Sequence, residues 1–268
     1  LDDPSAYFQC TLYSGTGSQQ SITNGGNSNL QPDWLWIKER TGTSSHQLVD
    51  SVRGYYLRIE SDNNSAELDA GQTGATNQNV TSFDSDGFGV KNGGAVNASG
   101  DTYVAWQWKA GTTGSGTTTG SGTGKAYSYS ANSTSGFQIT KYVGNGTLGH
   151  TIPNHTGKIP TMIIFKQLNA SRGWGVYHKD LGANKIIYLD ENIAPQTIES
   201  NQWMNGTVPT SSVVTLGTLN EQNINDADYI MYSFSNVQSY CKMGSYTGNG
   251  NVSGPMIWLG FKPAWVMV

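Results

Sequence analysis

The stretch LQPDWLWIK (30–38) decides the fold, because KIPTMIIFK (158–166) and FKPAWVMV (261–268) repeat its frame: a proline, one polar or small residue, then four apolar residues. A glycine turn precedes each copy: LYSGTG (12–17), KYVGNG (141–146) and SYTGNG (245–250). The last turn glycine stands 15, 14 and 13 residues before the proline. Four apolar residues in a row suit a strand covered on both faces. Around them, FQCTLY (8–13), FQITKY (137–142) and CKMGSY (241–246) alternate, as do YVAWQW (103–108) and YIMYSF (229–234). Alternation is the mark of a strand with two different faces. No 12-residue segment carries a 3.6-residue period, although 50–60 leaves room for a short helix.

The repeat runs further than the frame. HQLVDSVRG (46–54) lies over WGVYHKDLG (174–182), and NASGDTYVAWQW (97–108) lies over NINDADYIMYSF (223–234) at a constant offset of 126. A unit of this length means tandem copies of one domain rather than a solenoid. The expected fold class is all-β, with tandem antiparallel β-sandwich repeats. The first sandwich is expected at 1–110 and the second at 131–238, joined by a Gly/Ser/Thr-rich linker at 111–130 that includes GTTGSGTTTGSGTG. Residues 239–268 read as the start of a third repeat, or as strands that close the second. With Leu1 in first place, this leads us to expect a polypeptide that continues past residue 268.

Charged residues are only 13% of the 268, Gly numbers 34 and the net charge is −4. Phosphate binding needs clustered cations, so a nucleic-acid partner is not expected. No run of 18 apolar residues exists, so neither is membrane insertion through a helix. Cys10 and Cys241 sit where the other copies carry plain apolar residues, which makes both thiols core packing rather than a bridge.

Several motifs together resemble a family. SGTG (14–17), LQPDWLWIK, DSVRG (50–54), SFDSDGF (82–88), NASGDTYVAWQWKAG (97–111) and GSYTGNGN (244–251) are similar to repeat units in virion proteins of marine tailed phages. The second repeat lacks DSVRG and FDSDGF in recognisable form. The resemblance implies concanavalin A-like jelly-roll sandwiches in a tail fibre or surface spike, on the outside of an extracellular particle. It also implies other virion proteins as partners and a homo-oligomer, a trimer as in most fibres. It carries no functional residues.

Chemistry is sparse in the sequence. Asp84, Asp86 and Gly87 have the spacing that opens a calcium loop, but no Glu follows to complete it, and a turn held by Asx bonds is the better reading. Glu67 and Asp69 are the nearest approach to a glycosidase pair, in a segment that reads as loop. His150, His155 and His178 lack zinc spacing and read as surface histidines. The nine N-x-S/T sequons follow from composition. Neither a catalytic residue, nor a metal, nor a cofactor is expected. Trp34, Trp36, Trp106, Trp108, Trp258 and Trp265 belong to apolar or alternating strands and read as core. Trp174 and Trp203 lie in polar surroundings, as a sugar-stacking platform would. Asp50 and Arg53 read first as a local ion pair with Gly54 at a turn, and second as a ligand-reading pair. The functional expectation is a non-enzymatic virion protein that attaches to host-surface glycans. The alternatives are a purely architectural or capsid-decorating module and the binding module of a carbohydrate-active enzyme.

Overall fold

Both full copies of the frame become strands. The computed structural model, which describes residues 1–70 and 79–268, places β3 at Trp34–Glu39 and its counterpart β15 at Met162–Gln167. In chain order the first repeat contains β1 (Phe8–Ser14), β2 (Gln20–Thr23), β3, β4 (Gln47–Asp50), β5 (Gly54–Ile59), β6 (Leu68–Asp69), β7 (Val80–Asp84), β8 (Gly87–Val90) and β9 (Thr102–Trp108). One helical turn, α1 (Gly94–Asn97), precedes β9. The second half contains β10 (Thr112–Thr117), β11 (Thr119–Gly120), β12 (Ala126–Asn132), β13 (Phe137–Val143), β14 (His150–Pro153), β15, β16 (Gly175–His178), β17 (Lys185–Tyr188), β18 (Gln196–Thr197), β19 (Val213–Leu216) and β20 (Asp228–Phe234). The fold is all-β and antiparallel throughout the described residues. The room left for a helix in 50–60 is taken by a turn and β5, and the loop expected around Glu67 holds the two-residue β6.

Strand order shows the repeat in three dimensions. The large sheet of the first half runs β1-β9-β3-β4-β5-β6, and that of the second runs β13-β20-β15-β16-β17-β18, with β12 and β10 added outside β13. In both, the last strand of the repeat lies between the first and the third. Trp34 faces Trp108 across one strand boundary and Asp50 across the other, and Met162 faces Phe234 and His178 in the same way. Each large sheet is backed by a three-stranded small sheet, β2-β8-β7 or β11-β14-β19.

The continuous apolar runs are explained by what covers them. Leu35 and Ile37 point into a core shared with Phe88, Val90 and Ile22 of the small sheet. Trp34 and Trp36 point the other way and meet Phe137, Ile164, Tyr232 and Phe234 of the second repeat. The Trp34 ring stacks on Tyr232 at 4.4 Å between centroids and on Phe137 at 5.8 Å. In β15, Ile163 and Phe165 join the second outer core with Trp203 and Leu216. The layers are thus small sheet, large sheet, large sheet, small sheet. The two repeats are not beads on a string: their large sheets share an aromatic core.

Four expectations change here. The stretch read as a linker is built into sheets, with β10 and β12 paired from Thr112↔Ala131 to Thr117↔Ala126. Its glycines alternate for a reason. A Cβ on Gly114 would stand 2.7 Å from the Tyr129 ring, and one on Gly116 3.0 Å from the Tyr127 ring. Rings lying across a neighbouring strand leave room only for glycine beneath them.

Residues 239–268 form neither a third sandwich nor strands closing the second; they hold a single bridge, Val237↔Cys241. The topology gives the cause. Among the described residues β1 pairs only with β9, and β3 only with β9 and β4, so the opening strands of a repeat do not pair with each other. Residues 239–268 contain the first and third segments of the frame, and none of the described strands pairs with them. Trp258 is accordingly 79% exposed rather than core, while Trp265 packs against Phe8, Trp106 and Trp108.

Cys10 is also exposed rather than core, although its counterpart Ile139 is fully buried. β1 is an edge strand, whereas β13 is covered by β12. Cys241 is half-buried, and both cysteines are free.

Candidate functional site

The residues singled out by sequence come together, but inside the molecule. Asp50 at the end of β4 and Arg53 in the next turn form an ion pair at 2.6 Å, with neither side chain exposed. Asp50 Oδ1 also accepts the backbone N–H groups of Val52 and Arg53, which shapes the turn that Gly54 completes at φ 106°. Arg53 has no donor left for a ligand. Nε bonds Asp50, Nη1 bonds Leu57 O and Glu67 Oε2, and Nη2 bonds Leu48 O and the Tyr232 hydroxyl. Tyr232 in turn donates to Asp50 Oδ2 at 2.7 Å. Burial by itself would lower the Arg53 pKa, but Asp50, Tyr232 and Glu67 outweigh it and hold the guanidinium firmly charged. The first reading of DSVRG stands, with a partner the motif did not announce: a tyrosine of the other repeat.

Trp174 and Trp203 cannot stack on a sugar, because neither has an exposed face. Trp174 Nε1 donates to Glu60 O and Asn63 O of the first repeat, both at 3.0 Å. Lys166, also fully buried, lies 5.8 Å from the Trp174 ring centroid and donates to Asn64 O and Arg172 O. Burial pushes its pKa down to about 8. Trp203 fills the second outer core, edge-on to Phe165. Polar neighbours in sequence misled because the covering surface comes from distant residues. Trp174, Lys166, Arg53 and Tyr232 together form a clasp between the repeats.

The remaining candidates are scattered. Asp84 and Asp86 flank the β7–β8 hairpin, where Asp86 Oδ1 accepts the Leu30 N–H at 3.1 Å. Glu67 is engaged by Arg53. Among the histidines read as surface residues, His155 is exposed and His178 half-buried, but His150 is fully buried. Its strand β14 lies between β11 and β19, and burial lowers its pKa.

An aromatic group that sequence reading passed over stands at the surface. Tyr127 and Tyr129 project from the same face of β12, and exposed His155 from the β14–β15 loop lies on Tyr129. The Tyr129 and His155 rings stack at 3.6 Å with 7° between planes, and the Tyr127 ring lies 5.8 Å from His155 at 21°. The loop is held by a 2.7 Å bond from the His155 N–H to Gln138 Oε1, and Tyr127 OH lies 3.3 Å from His155 Nε2. The partial desolvation of its ring against Tyr129 lowers the His155 pKa. Below the tyrosines, Gly114 and Gly116 give the rings their seat. Three roughly parallel rings with hydroxyl and imidazole groups at hand offer what a sugar ring needs: a flat apolar face beside polar groups. The available signal was Y-x-Y pairing with G-x-G across two strands. It was hidden because GTTGSGTTTG looked like a linker.

The family model described as Domain of unknown function (DUF7483) matches residues 3–268. The chain belongs to the DUF7483 family. The matched DUF7483 region spans both repeats, the Gly-rich strands between them and residues 239–268. No curated protein and no solved structure matches the chain.

Proposed function

We propose that this DUF7483 chain is a non-enzymatic virion structural protein, of tail-fibre or surface-spike type, that presents the Tyr127–Tyr129–His155 face to glycans on a host surface. The observation that carries this reading is the ring stack at the surface, with His155 exposed and both tyrosines half-buried, positioned by a hydrogen bond from the His155 backbone N–H and seated on two glycines. The likeness of the first-repeat motifs to marine tailed-phage virion proteins supports the particle setting. The shared core supports the display role, since a face mounted on two fused sandwiches keeps its geometry when it meets a ligand. In this reading other virion proteins and further copies of the chain are its partners on the particle surface.

Glycan-array and host-polysaccharide binding of the assembled protein, beside Tyr129→Ala and His155→Ala, tests the reading. Binding that is lost in both variants while their thermal transitions persist supports it. Binding that the variants retain moves the site elsewhere, and no binding by the wild type leaves only the architectural role. Release of oligosaccharides overturns the non-enzymatic assignment.

A further inference from the structure

The ring stack of the second repeat is built from segments that carry no charge. Tyr127 and Tyr129 stand on β12, opposite Gly116 and Gly114 of β10, and His155 comes from the loop after β14. Residues 112–117, 126–134 and 150–157 contain no Lys, Arg, Asp or Glu. The charges next to these segments are paired or turned away. Lys125, just before β12, is bonded to Asp226, and Lys109, before β10, lies 3.6 Å from Asp33. Lys141 is opposite Ser128, whereas Tyr142 is opposite Tyr127, so Lys141 projects from the other face of the sheet. Lys158 lays its methylene chain beside Gly136, where a Cβ would stand 3.3 Å from it. The lowered pKa of His155 agrees: burial causes it and, among the described residues, no charged group adds to it.

The three rings also have different parts to play. The Tyr129 ring has Gly114 beneath it and His155 over it at 3.6 Å, so it serves as the seat of the imidazole. His155 is exposed, and its outer face forms the open surface together with the Tyr127 ring beside it. Tyr127 OH lies 3.3 Å from His155 Nε2. With the hydroxyl donating to Nε2, the neutral imidazole carries its hydrogen on Nδ1 and can give it to a sugar oxygen.

We infer that this surface selects uncharged glycans: pyranose rings without carboxylate, sulfate or phosphate groups, laid on His155 and Tyr127. A sugar ring gains here from contact with the aromatic faces and from bonds to hydroxyl and imidazole groups, none of which needs a charge. An anionic sugar would give up hydration of its charged group against neutral walls, with no cation to replace it. The net charge of −4 adds a weak repulsion of the same sign. The inference rests on the glycan reading and adds to it the class of ligand.

An array that carries each glycan backbone in neutral and in uronic, sialylated or sulfated form tests it on the full chain, with the hits measured by calorimetry at low and high salt. Neutral forms should bind roughly tenfold more tightly than their charged counterparts, and salt should change their affinity less than about twofold, because screening acts on charge alone. His155→Ala should abolish that binding. Tyr127→Phe should weaken it roughly three- to tenfold, by removing the bond that orients the imidazole. A preference for charged forms, or a steep loss of affinity with salt, overturns the inference; where His155→Ala still abolishes such binding, the glycan reading survives. Binding that neither variant alters, or no binding to any glycan, overturns both. Circular dichroism shows whether each variant is folded, and the preference for neutral forms and the salt response are read on the wild type even if a variant is not.

Discussion

The two repeats build the same large sheet in the same strand order, yet each finishes its small sheet differently. The first adds β7 beside β8, in the hairpin whose turn carries the FDSDGF residues. The second adds β11 on the opposite side, beside β14, from the Gly-rich insertion. The difference teaches that the repeat fixes strand order and core facing, while the third small strand is whatever local segment can reach. It also separates the faces that carry chemistry. Only the insertion brings β10 and β12, and with them the Tyr127–Tyr129 surface; only the first repeat keeps Asp50 and Arg53, for which the second has His178 opposite Met162.

The strongest way to break the comparison is to attack what the repeats share. Trp34→Ala removes a fully buried ring that touches both halves and should cost about 4–5 kcal/mol. Denaturant unfolding followed by probes in each half should stay coincident; separate transitions would show that the shared core does not couple them.

Next is the clasp. Asp50→Ala leaves the Arg53 charge buried without its main partner and should cost roughly 3 kcal/mol. His178→Ala at the matching place should cost less than about 1 kcal/mol, since that side chain is only half-buried. Equal effects in chemical denaturation would mean that the asymmetry is only apparent.

Gly116→Val tests the insertion. Its side chain would collide with the Tyr127 ring, at a cost of about 1–3 kcal/mol. The loss should appear as faster amide exchange in β10 and β12, with the first repeat unchanged.

The smallest effect is pH. Burial lowers the pKa of His150, His155 and His178 in the second repeat and of His46 in the first. The fold therefore prefers the neutral rings. Their contribution is complete above the unfolded value of about 6.5 and is lost as pH falls below it, until the folded pKa values are passed. Urea midpoints should drop between neutral and mildly acidic pH, with β11, β14 and β19 around His150 opening first. A rise on acidification would reverse the sign and reject the account.

Much of the fold was legible because periodicity survives in a single chain. The frame at Trp34 and Met162, the constant offset to β9 and β20, and the burial of strands on both faces could all be read from spacing. What could not be read was supplied by distant partners. Trp174 is core because Glu60 and Asn63 cover its ring nitrogen. Cys10 is exposed because no described strand lies beside β1 as β12 lies beside β13. GTTGSGTTTG is strand because tyrosines 127 and 129 need glycine opposite them. Trp258 carries the composition of a strand, but no described strand pairs with its segment.

One feature of the sheets bears on how the protein is made. In each repeat the central partner of the first and third strands is the last to be synthesised, β9 at Thr102–Trp108 and β20 at Asp228–Phe234. A nascent repeat leaving the ribosome thus holds apolar strands that cannot close until its final segment emerges. Such long-range closure makes folding slow and leaves the unfinished chain prone to aggregation. The abundant hydroxyl and amide side chains of the connecting turns, rather than charge, help to keep that waiting chain hydrated.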